Sequence, residues 1–236
     1  MRYGQSEFFN LPTVPAPYLA NRQGNAVYVF PQLRDGAGHV SAMVSNAALL
    51  TQSLSRDGKP VTAAPGSPVT RYDVPADRGT YRLDLAYAPG GDYRVDTSWT
   101  FASAPGTGTA AAGFQCWNDG GALPADKPCQ PLPTISVDYD LGLRADNTAH
   151  GRAEVRFRPH HVGGVTARIV QATLSVSWDG GRTWLRVNSV PAGHGWRVGP
   201  LPHQRPGASV SLRVEASDQA GNTVTETLTN AYRVAG

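Results

Sequence analysis

The chain has 236 residues, 40% of them hydrophobic and 17% charged, with 26 glycines and 19 prolines to supply turns. Its 21 basic and 18 acidic residues leave a net charge of +3, and the arginines are scattered beside acidic neighbours, as at Arg82 and Asp84 or Arg94 and Asp96. That distribution argues against nucleic-acid binding, which wants a clustered basic stripe, and no apolar run approaches the ~20 residues of a membrane-crossing helix.

From the N-terminus, residues 1–25 are rich in Pro, Asn and Gln. Pro12, Pro15 and Pro17 keep this segment extended, as a lead-in lying across a first domain. Regular structure begins with the short apolar run Ala26, Val27, Tyr28, Val29 and Phe30. After a turn at Asp35 and Gly36, Val40, Ala42 and Val44 alternate with His39, Ser41 and Met43. A further turn falls at Asp57 and Gly58. Tyr81, Leu83, Leu85 and Tyr87 alternate with Thr80, Arg82, Asp84 and Ala86. After a turn at 89–92, Tyr93, Val95, Thr97, Trp99 and Phe101 repeat the pattern. Short strands separated by turn signals predict a sandwich or barrel. Apolar residues nowhere keep helical spacing over three turns.

Residues 102–113 are small, flexible and low in complexity, the composition of a linker. A loop between Cys116 and Cys129 follows. Downstream, Ile135 and Val137 open a second unit, Val155 and Phe157 sit between arginines, and Val210, Leu212, Val214 and Ala216 alternate cleanly. A turn at 218–222 leads to the closing strand with Val224, Leu228, Tyr232 and Val234. About seven strands in about 100 residues is the count of an immunoglobulin-like or fibronectin-like sandwich. The expected architecture is therefore all-β: a lead-in (1–25), a β-sandwich domain (26–104), a linker with the cysteine loop (105–131) and an immunoglobulin-like/fibronectin-like β-sandwich domain (132–236).

The sharpest local signal is Ser177-Trp178-Asp179-Gly180-Gly181-Arg182-Thr183-Trp184. Ala172, Leu174, Val176 and Trp178 mark a strand with one buried face. Asp179 and Gly180 supply the positive φ angles of a tight turn, and Asp179 and Thr183 offer oxygens to backbone N–H groups within it. Trp184 returns to cover the hairpin. The string resembles the Asp box of sialidase propellers, where that box is a folding device at a blade corner. A propeller needs several copies; here one full copy and a partial echo at 55–59 occur. Ser177, Asp179, Gly181, Thr183 and Trp184 are accordingly read as structural.

Cys116 and Cys129 bracket a Gly- and Pro-rich loop, which suits a disulfide and an oxidising compartment. A metal site there would need two further ligands at the right spacing. Met1 opens no signal peptide, since the first residues carry no apolar core; together with the disulfide this implies a piece of a longer secreted precursor. Asp138 and Asp140 offer oxygens for calcium, although the loop lacks the third ligand and sixth-place Gly of the twelve-residue pattern; ordinary turn chemistry is the competing reading, there and at Asp218 and Asn222. His160 and His161 are adjacent, so on a strand they face opposite ways and do not share a metal. Of the five tryptophans, Trp99 and Trp178 occupy apolar phases and read as core. Trp117, beside Asp119 in the cysteine loop, is the candidate exposed aromatic, the alternative being a ring packed on its own disulfide. None of the Gly-x-Ser-x-Gly, His-Glu-x-x-His, phosphate-loop or dinucleotide strings appears, so a catalytic set is not expected.

Five strings, in order along nearly the whole chain, carry a resemblance: 3–12, 35–41, 97–101, 176–184 and 218–227, the last followed by Asn230, Ala231 and Tyr232. The chain resembles the non-catalytic C-terminal region of large secreted subtilisin-type serine peptidases of actinobacteria. The peptidase strings Asp-Thr-Gly, His-Gly-Thr-His and Gly-Thr-Ser-Met-Ala are missing, so catalysis does not carry over, and the cysteine loop is no part of the family pattern. The resemblance implies a secreted accessory region that stabilises its own peptidase domain, or holds it near protein or cell-wall polysaccharide. Two alternatives are a carbohydrate-binding module, and a secreted interaction or inhibitor module that presents the Cys116–Cys129 loop.

Overall fold

The computed structural model describes residues 14–16, 19–35, 40, 49–64, 69–144, 146–149, 154–193, 195–199, 201 and 205–235. The string at 3–12, most of the lead-in, the alternation through Ala42 and Val44, and His39, His150, His194 and His203 lie outside the described residues. Every α-helix or strand assigned among the described residues is a strand.

The dominant element is a nine-stranded sheet. Numbered in chain order, its strands run from one edge to the other as β18 (Leu185–Val187), β17 (Ile169–Ser177), β21 (Ser209–Asp218), β22 (Thr223–Val234), β10 (Tyr93–Ser103), β9 (Gly79–Gly90), β5 (Leu50–Arg56) and β6 (Lys59–Val61). The short β15 (Thr148–Ala149) joins β22 in parallel. Tight turns make the antiparallel neighbours. Asp57 and Gly58, at φ 50° and 78°, close β5 onto β6, the left-handed pair that a two-residue hairpin demands. Between β9 and β10, Gly90 pairs with Tyr93, and Gly90 and Gly91 take positive φ at the entry to the turn.

Two smaller sheets cover one face of this long sheet. One has the order β13 (Gln130–Pro131), β2 (Asn21–Gln23), β3 (Ala26–Val29), β8 (Thr70–Asp73), β7 (Ala63–Ala64). The other has the order β14 (Ile135–Asp140), β16 (Val155–His161), β20 (Gly195–Val198), β19 (Ser189–Ala192). Two short pairs complete the structure, β1 (Val14–Ala16) with β4 (Gln32–Arg34) and β11 (Trp117–Asn118) with β12 (Gly121–Ala122). The fold is all-β, as the period-two alternation requires. Tyr81, Leu83, Leu85 and Tyr87 of β9 and Val95, Trp99 and Phe101 of β10 all turn inward and are buried.

The layering of sheet on sheet is that of a β-sandwich, and one sheet runs through both of the units expected from the sequence. Strand β10, from the first segment, pairs directly with β22, the last strand of the chain, from Arg94 opposite Thr229 through to Thr100 opposite Thr223. The row Leu54, Leu83, Trp99, Val224, Ala216 and Ala172 crosses this seam on one face, residue opposite residue. All six are buried in a single hydrophobic core that runs from Val14 to Val234. Cross-strand apolar pairs are the unit of sheet stabilisation, so the seam is as well built as the hairpins beside it. Residues 105–131 are not a free tether either. Cys129 N–H donates to Gly108 O at 3.0 Å, β13 pairs with β2, and a side chain at Gly106 would collide with Gln130.

Candidate functional site

The hairpin after β17 is built from its own side chains. Ser177, fully buried, donates through Oγ to Asp179 Oδ1 at 2.7 Å and accepts from Gly181 N–H at 2.9 Å. Asp179 accepts from the N–H groups of Arg182 (3.0 Å) and Thr183 (2.9 Å) and from Thr183 Oγ1 (2.6 Å). These bonds, led by that of Thr183, hold its carboxyl well below the usual carboxylate range. Trp184 folds back so that its indole N–H donates to Gly181 O at 2.9 Å. Its ring lies 3.3 Å from where a side chain on Gly181 would begin, and the Arg213 guanidinium lies over the ring, 4.1 Å from its centre.

Cys116 and Cys129 form a disulfide with Cα atoms 6.5 Å apart, and both are buried. The ring of Trp117 is half-buried. It stacks on Phe30, centroids 5.3 Å apart and planes at 8°. Strand β3 explains why. Val27 and Val29 face the main core while Ala26, Tyr28 and Phe30 face away and form a second small cluster with Val69. A strand buried on both faces reads as an unbroken apolar run, and the cysteine loop is what covers its second face. Asn21 Nδ2 and Gln23 Nε2 donate to Trp117 O at 3.0 and 3.1 Å, fixing the loop to β2. Asp119 is exposed and pairs with Arg71 at 3.1 Å, which also holds Asp73 at 2.7 Å.

Asp138 and Asp140 do not make a calcium site. The Asp138 carboxylate is bonded by Arg34, by Arg158 Nη2 at 2.6 Å and by His160 Nε2 at 2.9 Å. Burial alone would raise its pKa, but the His160 bond, the Arg158 bond and the field of Arg34 outweigh burial and leave it lowered. A carboxylate already neutralised by two guanidinium groups has no lone pairs left for a cation. Asp140 accepts from Gly142 N–H at 3.3 Å, which is turn chemistry. Among the described residues no group of three or more His, Cys, Asp or Glu is arranged to hold a metal ion. His160 and His161 face opposite sides of β16: the first reaches Asp138, the second is buried and lies 3.0 Å from Asp218 Oδ2 and 2.9 Å from Thr134 O. Asp218 also closes the β21–β22 turn, accepting from Ala220 and Asn222 N–H and from Asn222 Nδ2.

One further buried cluster carries no motif in the sequence. Glu226 stands at an inward position of β22 between Val224 and Leu228 and is buried. Tyr139 Oη donates to its Oε1 at 2.9 Å and Thr97 Oγ1 to its Oε2 at 3.0 Å. The signal was present: Thr97 and Glu226 are both polar at apolar phases of their strands, and they sit directly opposite one another.

The outer face of the nine-stranded sheet forms a shallow polar trough of about 450 Å³, lined by Thr51, Ser53, Arg82, Asp84, Ser98, Thr225 and Thr227 among others. Its ions are internally paired: Arg82 with Asp84 at 3.0 Å, and Arg94 with Asp96 at 2.6 Å. None of its lining side chains is aromatic.

No family model matches the chain, and no curated protein matches it. Among solved structures it is similar to a crystal structure of domains A168-A170 from titin, with 11% sequence identity and a TM-score of 0.24, covering 89% of this chain and 63% of that one. The chain thus spans under two thirds of that structure.

Proposed function

We propose that the chain is a non-catalytic binding module of a secreted protein, and that it positions a peptidase domain or its protein substrate. The observation that carries this reading is where the reactive side chains go. His160 and Asp138 are bonded to each other and to arginines, His161 and Asp218 tie β16 to the β21–β22 turn, and Ser177 and Asp179 are used up in their hairpin. Each group with acid, base or nucleophile character named here serves a structural bond. What remains for a partner is shape, and one exposed shape that is covalently fixed is the cysteine loop, with Asp119, Asp126 and Lys127 exposed beside a buried disulfide and a stacked Trp117. The resemblance of its ordered strings to the accessory regions of subtilisin-type peptidases is what suggests such a peptidase as the partner. Among the described residues the glycan alternative finds no exposed tryptophan to serve as a platform. Trp99 is core, Trp178 packs against the core, and Trp117, Trp184 and Trp196 stack on Phe30, Arg213 and Phe157.

Two measurements test the reading. The isolated chain is assayed for proteolysis, with no turnover expected; turnover abolished by a serine-directed inhibitor would overturn it. Binding to the peptidase domain encoded alongside the chain is then compared between the native protein and the double variant Asp119→Ala, Lys127→Ala. At least a tenfold weakening is expected, and unchanged affinity removes the loop from the interface.

A further inference from the structure

The four-stranded sheet is docked on the nine-stranded sheet by apolar packing and by buried side-chain hydrogen bonds. One is the bond from Tyr139 on β14 to Glu226 on β22. Glu226 lies at the seam where β22 joins β10, with Thr97 of β10 directly opposite it and Val214 of β21 on its other side. It therefore touches both halves of the long sheet and the sheet that covers them. A carboxylate in such a place is normally matched by a guanidinium or ammonium group. Among the described residues none pairs with Glu226; its two partners are the hydroxyls of Tyr139 and Thr97. The other titratable groups that bear on the cluster are Asp138 on β14 and Tyr93 on β10, and neither supplies positive charge.

We propose that Glu226 is a proton-controlled latch between the two sheets, closed while its carboxyl is protonated and loosened when the proton leaves. The physical reason is desolvation. A neutral acid bonded to two hydroxyls is tolerated in a dry interface, whereas an anion there is stabilised only by the same two dipoles. Burial first of all pushes the Glu226 carboxyl up to about 7, the bonds from Tyr139 and Thr97 offsetting this only in part. Burial likewise holds the Tyr139 phenol well above its usual range, so Tyr139 remains a donor throughout. Because the folded-state value lies above the unfolded one, the folded state holds the extra proton. The stabilisation is complete below the ordinary glutamate range and is lost as the pH rises through about 7. The module is thereby tighter in mildly acidic surroundings than in alkaline ones.

The test is denaturant unfolding of the full chain between about pH 5 and pH 9, native against Glu226→Gln. Glutamine keeps the size and an amide oxygen for the hydroxyls but does not titrate. The folding equilibrium constant of the native chain is expected to fall by on the order of 10²-fold relative to the variant across this window. Protection factors for backbone amides of β14 and β16 are expected to drop with pH in the native chain and to stay level in Glu226→Gln. Equal pH dependence of the two proteins overturns the latch. If Glu226→Gln does not fold, the native chain still decides the matter: the carbonyl stretch of a buried neutral carboxylic acid must be present at pH 5 and absent at pH 9. A carboxylate already ionised at pH 5 overturns the proposal.

Discussion

The indole N–H of Trp99 donates to the carbonyl oxygen of Ile135 across 2.7 Å in the core, and that bond links β10 of the first segment to the opening strand of the second. The two residues also lie in one continuous hydrophobic core. Unfolding is therefore expected to be one cooperative event, with far-UV and near-UV circular dichroism tracing the same denaturation curve. Replacing Trp99 with Phe leaves a buried carbonyl without its donor and should cost about 1–3 kcal/mol. Trp99→Ala adds a cavity and should cost about 3–5 kcal/mol. Two separate transitions in the native chain would contradict the shared core.

Much of this architecture could be read from the residues, and the part that could not has a common cause. Period-two alternation located β9, β10, β21 and the start of β22, because each has one buried and one open face. The turns at Asp57 and at Gly90 and Gly91 are marked by residues that take positive φ, whereas after β17 the positive angles fall on Gly180 and Gly181 and not, as expected, on Asp179. The pairing of β10 with β22 was invisible because register between strands more than 120 residues apart is set by the summed fit of the core and leaves no local pattern. The same applies to Asp138. Its two arginines and histidine come from β4 and β16, and nothing near position 138 announces them. The role of the cysteine loop was missed for a related reason: the unbroken run from Ala26 to Phe30 showed a strand with two buried faces, but not which segment covers the second.

Asp179 carries a pH signature of its own. Its carboxyl is held below the usual range chiefly by Thr183, through its hydroxyl and N–H, and then by Ser177. A lowered folded-state value means that its contribution is present at neutral pH and is lost as the pH falls through and below the ordinary aspartate range. Asp179→Asn replaces one accepting oxygen with an amide that cannot accept. The variant is expected to melt below the native chain at pH 7, with the gap closing as the pH is lowered through about 4. Amide exchange at Arg182 and Thr183 should quicken at pH 7. A melting gap independent of pH would show that the carboxylate charge plays no part in the turn.

Closing the Cys116–Cys129 loop is expected to stabilise the chain by about 3 kcal/mol, the loop-entropy value for a separation near 15 residues. The observed separation is 13. The double variant Cys116→Ser, Cys129→Ser should lose that amount in urea denaturation. It should also change the fluorescence of Trp117, because the loop is what presses that ring onto Phe30. Strand β3 would then expose Tyr28 and Phe30, and aggregation above the native level is expected. An unchanged urea midpoint would mean that the stacking and the bonds from Asn21 and Gln23 hold the loop without the disulfide.

Under the other half of the long sheet, the polar anchor is Arg22. Only 1% of its surface is exposed. Its Nε donates to Gly24 O at 2.9 Å, Nη2 to Pro75 O at 2.7 Å and Nη1 to Tyr81 Oη at 3.2 Å, and the guanidinium lies 5.7 Å from the Tyr81 ring centre. The planar fork reaches three directions at once, which a lysine cannot do. Arg22→Lys keeps the charge but strands two of these acceptors, and should cost about 3 kcal/mol. Arg22→Met removes the charge together with every donor, trading ion desolvation against unpaired carbonyls. If the bonds matter more than the desolvation, Arg22→Met is also destabilised, and hydrogen exchange should rise first in β2, β3 and β13, the strands that Arg22 ties to β9. If Arg22→Met is as stable as the native chain while Arg22→Lys is not, the guanidinium contributes nothing net to stability. Its role is then to fix which face of the five-stranded sheet meets Tyr81.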